Sequence, residues 1–355
     1  MRINRRFFLA ALPGGLAWSQ TAAIPDIRGL SRTNLLAYRE GGKIRTATKA
    51  KQWELRRKEA IAGMVEITGP LPGEGKRCPL DVKVEQEADM GSYVRRSIVY
   101  SSEPGSRTTA FLCIPKTALE GKKAMGVLCL HPTDKNIGYK VVVGLGGRAH
   151  RQYASELAER GSVTISPSYP HLADYRPDLR GLGYQSGTMK AIWDNVRALD
   201  LLDTLPYVRR GSYAAIGHSL GGHNAIYTAT FDQRVKTIVS SCGFDSFLDY
   251  YGGNIKGWTQ ELYMAKMAAY LGRPQDVPFD FYELVGALAP RRLFVNAPLH
   301  DKNFQWKSVD RIRKAALAVY GLYGAEKNIR VEHPDCDHDF PDEVRMAAYE
   351  WIARG

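Results

Sequence analysis

Cysteine is scarce in this sequence and is not arranged in pairs. The 355 residues contain five cysteines, an odd number, with no CxxC spacing. Three of them, Cys113, Cys129 and Cys242, lie within apolar, strand-like runs. Because a buried thiol packs as a small hydrophobic group, we expect free cysteines in the core and no disulfide framework. No paired His/Cys spacing completes a metal site either, so no metal and no other cofactor is expected.

Long hydrophobic runs are also missing, since a membrane-spanning helix needs about 20 apolar residues. The apolar run Phe7–Trp18 is broken by Pro-Gly-Gly and follows Arg5-Arg6. With the small residues Thr21-Ala22-Ala23, the pattern resembles a twin-arginine export signal cleaved before Ile24. No cysteine near this run could accept a lipid. We therefore expect residues 1–23 to be a signal peptide and the mature protein to be periplasmic or extracellular, without a stable membrane anchor.

Acidic residues are outnumbered, with 37 Asp and Glu against 49 Lys and Arg, so the formal net charge is +12. The excess is diffuse: its densest piece, Lys49–Lys58, is interrupted by Glu54 and by apolar residues at helical spacing. Such a pattern is typical of a solvated helix face. Nucleic-acid binding would need a basic stripe joined to a reader motif, which the sequence lacks, so no nucleic-acid partner is expected. Affinity for an anionic polymer or cell-wall surface stays open.

The order of apolar segments predicts one α/β domain. Residues 24–90 are polar and punctuated by Gly and Pro, and they predict an N-terminal extension with one helix at about 51–67. Two strands joined by the turn Glu103–Ser106 then predict an antiparallel hairpin. Short apolar runs alternate with amphipathic helices through the rest of 91–355, which predicts a doubly wound, mostly parallel sheet with helices on both faces. Residues 244–278, rich in Tyr, Gly and Trp, interrupt this order and predict an insertion or lid.

The segment Gly217-His-Ser-Leu-Gly221 matches G-x-S-x-G, a turn that presents a nucleophilic serine between a strand and a helix. The match alone is weak, because a chain with 34 glycines contains about 0.2 such segments by chance. Here a short apolar strand precedes the segment and a helical pattern follows it. We therefore predict that Ser219 is a nucleophile.

A serine hydroxyl needs a histidine as base and an acid to orient that base. After this kind of turn, the acid and then the histidine follow along the chain. His338 lies in a loop between the last strand and the last helix, which favours it over His333 and His300. Asp301 directly follows the strand at 293–297 and is the expected acid, with Asp245 as the alternative after the strand at 236–240.

Two backbone N–H groups are expected to stabilise the oxyanion. One belongs to Leu220, the residue after the nucleophile, and the other to the loop that follows the strand at 127–130. Pro132 in that loop has no N–H, so Thr133 is the candidate donor. His131 either supports the loop or packs at the strand end, and the sequence favours neither.

Four segments together resemble the dienelactone hydrolase and acetyl xylan esterase-like branch of the α/β-hydrolase superfamily. They are His131-Pro-Thr, Gly217-His-Ser-Leu-Gly-Gly222, Ala297-Pro-Leu-His-Asp301 and Asp337-His-Asp-Phe-Pro341. The resemblance implies an α/β-hydrolase fold, carboxylic ester hydrolysis and no cofactor. Pro132 departs from the commoner His-Gly loop, and Ser219 departs from the cysteine nucleophile of true dienelactone hydrolases. These departures count against a dienelactone substrate and favour carboxylic ester hydrolysis. The expected export indicates a small-molecule or carbohydrate ester outside the cytoplasm, with acetylated carbohydrate as the first candidate.

Three other functions compete with an esterase: a dinucleotide-binding protein, a non-catalytic binding protein and a peptidase. Gly144-Leu-Gly-Gly-Arg-Ala149 matches G-x-G-x-x-A, but the strand at 163–169 lacks the acid that a dinucleotide site needs. A non-catalytic binding protein would not require all three triad groups. A peptidase of the acylaminoacyl or prolyl type usually carries a large propeller before this domain, so the short preceding segment favours an esterase. Tyr250, Tyr251 and Trp258 could stack on a sugar, although packing is the favoured interpretation. The sequence does not predict the oligomeric state.

Overall fold

The computed structural model describes residues 27–355. The expected export signal, residues 1–23, lies outside this range. Within it, no helix combines the length and apolar character needed to cross a bilayer.

A nine-stranded sheet is the centre of the described chain. The strands of residues 27–355 are β1 (Ala37–Glu40), β2 (Lys43–Thr46), β3 (Lys83–Asp89), β4 (Tyr93–Glu103), β5 (Ser106–Pro115), β6 (Ala124–Leu130), β7 (Val163–Pro167), β8 (Val208–His218), β9 (Val235–Ser241), β10 (Arg292–Asn296) and β11 (Ile329–Glu332). The large sheet has the order β11-β10-β9-β8-β6-β7-β5-β4-β3, while β1 and β2 form a separate two-stranded sheet.

Six neighbouring strands, from β11 to β7, are parallel. The remaining three are antiparallel, and β4 and β5 form the hairpin that leads into the sheet. The predicted doubly wound, mostly parallel sheet with an antiparallel hairpin is therefore confirmed. Strand β3 was not predicted. Its sequence, KVEQEAD, is polar and almost entirely exposed, as suits a strand at the edge of a sheet.

Helices cover both faces of the sheet. They are α1 (Ala50–Thr68), α2 (Lys116–Leu119), α3 (Tyr153–Glu159), α4 (Gly187–Thr204), α5 (Leu220–Phe231), α6 (Phe281–Ala287), α7 (Trp306–Gly321) and α8 (Asp342–Ala353). Helices α3 and α8 contribute to one hydrophobic cluster. Helices α4 to α7 contribute to the other and larger cluster. The apolar runs of β6 and β8 lie buried between these layers, which explains their continuous hydrophobic character.

The residues predicted as an N-terminal extension pack closely against the rest of the chain. Arg32 donates to Asp280 at 2.7 Å, and neither side chain is exposed. Arg56 of α1 donates to Glu283 of α6 at 2.8 Å, also in the interior. A Cβ atom at Gly63 would lie 2.1 Å from the carbonyl oxygen of Pro278. Because buried charges are retained only when paired, these contacts fix α1 against α6.

The predicted insertion, 244–278, contains short 3₁₀ turns rather than strands or α-helices. All five cysteines are free thiols, and Cys113, Cys129 and Cys242 are buried, as expected from their apolar surroundings.

Candidate active site

Ser219 lies in a sharp turn between β8, which ends at His218, and α5, which begins at Leu220. Its φ of 55° and ψ of −118° are unusual for a residue with a side chain. The Ser219 N–H donates to the carbonyl oxygen of Ser241 at 2.8 Å, which ties the turn to the end of β9. A strained backbone persists only where its surroundings hold it, and such residues concentrate at functional sites.

The two glycines of the motif are required by space. A Cβ atom at Gly217 would lie 2.2 Å from the backbone of Gly221. At Gly221 it would lie 1.9 Å from the carbonyl oxygen of Leu130, at the end of β6. Both distances are far below van der Waals contact, so no other residue fits either position without movement of the backbone. The G-x-S-x-G spacing is thus explained by close contact between β8, α5 and β6.

Asp301 and His338 form a hydrogen-bonded pair, with 2.8 Å between Asp301 Oδ2 and His338 Nδ1. The other carboxylate oxygen, Oδ1, accepts the N–H groups of Asn303 at 2.8 Å and Phe304 at 3.2 Å. The Asp301 side chain is 1% exposed and that of His338 is 19% exposed. The buried carboxylate therefore fixes the orientation of a histidine whose ring still reaches solvent.

Ser219 and His338 line the same cavity, which has a volume of about 520 Å³. Asp301 holds His338 from behind, so the structure brings together the three residues that the sequence predicted. Ser219 Oγ makes no hydrogen bond to His338 among the side-chain hydrogen bonds of residues 27–355. In enzymes without substrate, catalytic hydrogen bonds are often long and tighten only when substrate binds.

The competing histidines and acid occupy other places. His333 contacts the carbonyl oxygen of Ala297 and the carboxylate of Asp310. His300 pairs with Asp335 at the surface. Asp245 is buried, and one of its oxygens accepts the N–H of Gln305 while the other lacks a partner within the described chain. Burial raises the pKa of Asp245 well above its usual value. A carboxyl group that favours its neutral form is a poor orienting acid.

The two residues predicted to supply the oxyanion donors, Leu220 and Thr133, line the same cavity. Leu220 is the first residue of α5, and N–H groups in the first turn of a helix have no partner within the helix. Thr133 lines the cavity with Ser219, and its hydroxyl shares a 2.8 Å hydrogen bond with the hydroxyl of Tyr263.

His131 supports the loop that carries Thr133. Its Nε2 accepts the N–H of Tyr169 at 3.0 Å, so Nδ1 carries the proton and donates to the carbonyl oxygen of Pro132 at 2.8 Å. Burial lowers the pKa of His131 to about 4. The neutral ring that these bonds require is therefore the form present near neutral pH, and the question that the sequence left open is decided in favour of loop support.

Asp339, which directly follows His338, is engaged in ion pairs. Asp339 accepts from Arg151 at 2.6 Å and lies 2.9 Å from His150, and these contacts hold its pKa below the usual value. Arg151 also donates to the backbone oxygen of His338 at 3.3 Å. These contacts fix the loop that carries His338.

One group of side chains has the spacing of a metal site. Potential ligand atoms of His218, Cys242 and His338 lie within 4.8 Å of one another. The Cys242 thiol donates to the backbone oxygen of Asp339 at 3.2 Å, and burial raises its pKa well above the usual value. Burial also lowers the pKa of His218 well below its usual value. A metal ion there would need the Cys242 thiolate and would occupy His338, so these residues fit a hydrogen-bonded core better than a metal centre.

Several cavity residues could not be recognised from the sequence. Arg148 and Arg151 come from the loop that follows the Gly144–Gly147 run. The residues before this run form a 3₁₀ helix, Gly138–Val143, and not the strand that a dinucleotide fingerprint needs. Tyr263 and Gln260 come from the insertion. Neither group belongs to a periodic pattern, so no sequence signal marked them.

The insertion forms one wall of the cavity. Trp258 is buried within an aromatic cluster that includes Phe247 and His223, and its remaining surface lines the cavity. Tyr250 is half-buried against Trp258, with 5.6 Å between the ring centroids. Tyr251 differs from both, because 55% of its surface is exposed.

Comparison with known proteins supports an esterase-like fold. No protein-family model matches the chain. It is 27% identical over 164 residues to YtaP of Bacillus subtilis, which is named as a hydrolase. It is 24% identical over 207 residues to the 4-O-methyl-glucuronoyl methylesterase of Hypocrea jecorina. These matches cover 46% and 51% of the chain and 52% and 43% of the two relatives. The chain thus spans about half the length of the curated relatives it matches.

Solved structures match over most of the chain. A glucuronoyl esterase from Solibacter usitatus has a TM-score of 0.75 at 18% identity, covering 92% of this chain and 98% of the other. A glucuronoyl esterase from Teredinibacter turnerae gives 0.66 at 16% identity, with coverages of 90% and 88%. An acetyl xylan esterase from Paenibacillus gives 0.53 at 16% identity, with coverages of 87% and 96%. Together with the sheet order, these likenesses show the α/β-hydrolase fold.

Proposed function

We propose that this protein is a serine hydrolase that cleaves carboxylic esters through an acyl-enzyme. The observation that carries the proposal is the joint position of Ser219 and His338. Ser219 sits on a strained strand-to-helix turn, and His338, held by Asp301 at 2.8 Å, lines the same cavity. Nucleophile, base and orienting acid are the three parts of a triad, in whatever fold they occur.

In the first half-reaction, Ser219 Oγ attacks the ester carbonyl carbon while His338 Nε2 takes the hydroxyl proton. Asp301 accepts from His338 Nδ1 and stabilises the imidazolium that forms. The N–H groups of Leu220 and Thr133 donate to the oxyanion of the tetrahedral intermediate. Collapse of this intermediate expels the alcohol, which takes the proton from His338, and leaves the acyl group on Ser219.

In the second half-reaction, a water molecule replaces the alcohol. His338 removes its proton as it attacks the acyl carbon, and then returns the proton to Ser219 Oγ as the carboxylic acid leaves. The two half-reactions together convert one ester and one water molecule into an alcohol and a carboxylic acid, and they return the three side chains to their starting state. The proposed chemistry therefore uses no metal and no cofactor.

The proposed substrates are esters of carbohydrates, with acetyl esters as the first candidates. Relatives and structural neighbours whose names describe glucuronoyl and acetyl xylan esterases support this class. The cavity supports it as well, because polar and aromatic side chains from the insertion line one wall. Uronoyl esters are the second candidate, since the named ester of a sequence relative is of that kind.

Labelling with a fluorophosphonate probe tests the nucleophile. Wild-type protein should be labelled, and Ser219→Ala should lose both labelling and hydrolysis of p-nitrophenyl acetate. Ser92→Ala, which changes an exposed serine in the turn before β4, is the matched control and should behave as wild type. Folded wild-type protein without labelling would favour a non-catalytic binding protein. Near-normal turnover by Ser219→Ala would show that the mechanism is wrong.

A substrate panel separates the remaining alternatives. Acetylated xylan, feruloyl, glucuronoyl and short aryl esters should be compared with acylaminoacyl and prolyl p-nitroanilides at equal enzyme concentration. Cleavage of an ester without measurable cleavage of any amide supports the esterase. Preference for an amide would identify a peptidase of the acylaminoacyl or prolyl type.

We also propose that the protein is exported by the twin-arginine route to the periplasm or beyond. The motif at Arg5-Arg6 and the small residues before Ile24 support this proposal. Replacement of both arginines by lysine should retain the precursor in the cytoplasm, as measured by fractionation of cells that produce the protein. Unchanged export of that variant would contradict the route.

A further inference from the structure

A second cavity lies beside the first and shares lining residues with it. Its volume is about 460 Å³. Tyr250, Gly257 and Gln260 line both cavities, so the two lie next to each other along the insertion. Each volume lies within the range of about 300–1,000 Å³ that is usual for ligand sites. Ser219 and His338 line the first cavity and not the second.

Tyr251 is the exposed aromatic side chain of this second cavity. Its ring packs edge-on against Tyr250, with centroids 4.8 Å apart and an angle of 86° between the rings. Its hydroxyl donates to Oδ1 of Asn303 at 2.6 Å. The backbone is left-handed, with φ 45° and ψ 40°, which is costly for a bulky residue. The hydrogen bond and the ring contact thus fix the orientation of the Tyr251 side chain, although 55% of the residue remains exposed.

A fixed and exposed aromatic ring is suited to binding. Little conformational entropy remains to be lost when a ligand covers it, because the ring is already held in one orientation. A tyrosine ring also offers a large apolar surface in a polar setting, which is why such rings are enriched at binding interfaces.

The other lining residues indicate the chemistry of the ligand. The apolar part of its lining comes from the two tyrosine rings, while Asn254, Lys256, Thr259 and Gln260 supply amide, ammonium and hydroxyl groups. A sugar ring has an apolar face for Tyr251 and hydroxyl groups for the surrounding polar side chains.

The second cavity is also connected to the triad loop. Asn303, which receives the Tyr251 hydroxyl, lines the first cavity and donates its own N–H to Asp301. A ligand that covers Tyr251 therefore lies next to the segment that positions His338.

We propose that the second cavity is a carbohydrate subsite, in which a sugar unit beyond the esterified one stacks on Tyr251. The subsite rests on the proposed esterase function for its role in catalysis, and it makes oligosaccharide esters better substrates than esters of single sugars.

Binding is tested first, without any need for hydrolysis. Ser219→Ala protein should be titrated calorimetrically with unesterified xylo-, gluco- and manno-oligosaccharides of about five units. At least one should bind, and adding Tyr251→Ala should weaken that binding by about 2- to 10-fold, the range expected for loss of one aromatic contact. Adding Tyr251→Phe, which keeps the ring, should weaken it less than Tyr251→Ala does. Absence of binding by every oligosaccharide, or equal binding by the Tyr251→Ala protein, would overturn the subsite.

Kinetics provide the second test. For Tyr251→Ala, the ratio of kcat/KM on an acetylated oligosaccharide to kcat/KM on p-nitrophenyl acetate should fall by about 2- to 10-fold, mainly through KM. Leu271→Ala changes an exposed side chain of the same insertion that lines neither cavity, and it should leave the ratio unchanged. An unchanged ratio in Tyr251→Ala would overturn the subsite while leaving the esterase proposal intact. Loss of the esterase proposal would instead appear as p-nitrophenyl acetate turnover that survives Ser219→Ala.

Discussion

Replacement of Asp301 by Asn should remove most esterase activity without unfolding the protein. The carboxylate makes two kinds of contact: Oδ1 accepts two backbone N–H groups, and Oδ2 faces His338 Nδ1 at 2.8 Å. An asparagine oxygen can keep the two backbone contacts. Its amide nitrogen then faces His338 and donates to Nδ1, so the imidazole proton moves to Nε2. In that tautomer, His338 cannot accept the proton of Ser219.

The size of the effect follows from the loss of the base. An Asp-to-Asn change that leaves the geometry of a triad intact lowers kcat by about 10⁴. At about 1.36 kcal/mol for each factor of ten, this corresponds to about 5.4 kcal/mol of transition-state stabilisation. The KM should change little, because Asp301 lies behind His338 and away from the substrate. Circular dichroism and thermal unfolding should show a folded protein.

Asp245→Asn is the matched control, since Asp245 is also a buried aspartate after a strand and was the alternative acid. Its pKa is raised by burial, so the native state favours the neutral carboxyl group and Asn is a close substitute. Turnover of p-nitrophenyl acetate should stay within about tenfold of wild type, below the usual effect of a catalytic group. Strong loss in Asp245→Asn, with activity retained in Asp301→Asn, would refute the assignment.

Three further results are expected. Thr133→Pro removes one proposed oxyanion donor and should lower kcat by about 10²–10³. Thr133→Ala keeps the backbone N–H and should retain the wild-type kcat. Equal kcat values for the Thr133→Pro and Thr133→Ala proteins would show that Thr133 is not an oxyanion donor. Gly221→Ala places a Cβ atom 1.9 Å from the Leu130 oxygen and should lower both Tm and kcat, whereas Gly73→Ala, with open space around it, should match wild type by calorimetry. Burial depresses the pKa of His131 to about 4, so below about pH 6.5 the unfolded chain takes up a proton that the native state refuses. Denaturant unfolding should therefore show that the free energy of unfolding of the wild type falls as the pH is lowered from 6.5 to 4. This fall should be steeper than that of His131→Gln by up to about 1.4 kcal/mol per pH unit. Equal slopes for the two proteins would contradict this cause.

The sequence was sufficient for the fold class because its patterns have physical periods. The buried parallel strands are continuous apolar runs, and the intervening helices are amphipathic, so both are visible without coordinates. The turn at Ser219 was also recognisable, because close backbone contacts at positions 217 and 221 permit only glycine and so produce the G-x-S-x-G pattern. Strand β3 was missed because an exposed edge strand has no hydrophobic period to mark it.

The choice between Asp301 and Asp245 as the acid of the proposed triad depends on side-chain contacts that the sequence does not show. Asp245 and Asp301 both follow strands of the parallel sheet, and the carboxyl ends of such strands meet at one edge. Only the side-chain contacts distinguish the two: Asp301 reaches His338, while Asp245 points into the interior beside Gln305. Arg148 and Tyr263 were missed for a similar reason, because loop residues reach the cavity through tertiary contacts that leave no periodic trace.

The histidines near the nucleophile divide into two chemical roles according to burial. His131 and His218 are fully enclosed, and burial lowers both pKa values, so they remain neutral hydrogen-bonding groups at the pH where a base must work. His218 and His338 both line the cavity, but of these three histidines only His338 has a partly exposed ring and a carboxylate behind it. In the proposed mechanism, these fixed neutral rings hold the loop that carries Thr133 and the end of β8 in place while His338 gains and loses a proton. Proton transfer by His338 would then leave the hydrogen bonds that position Thr133 and Ser219 undisturbed.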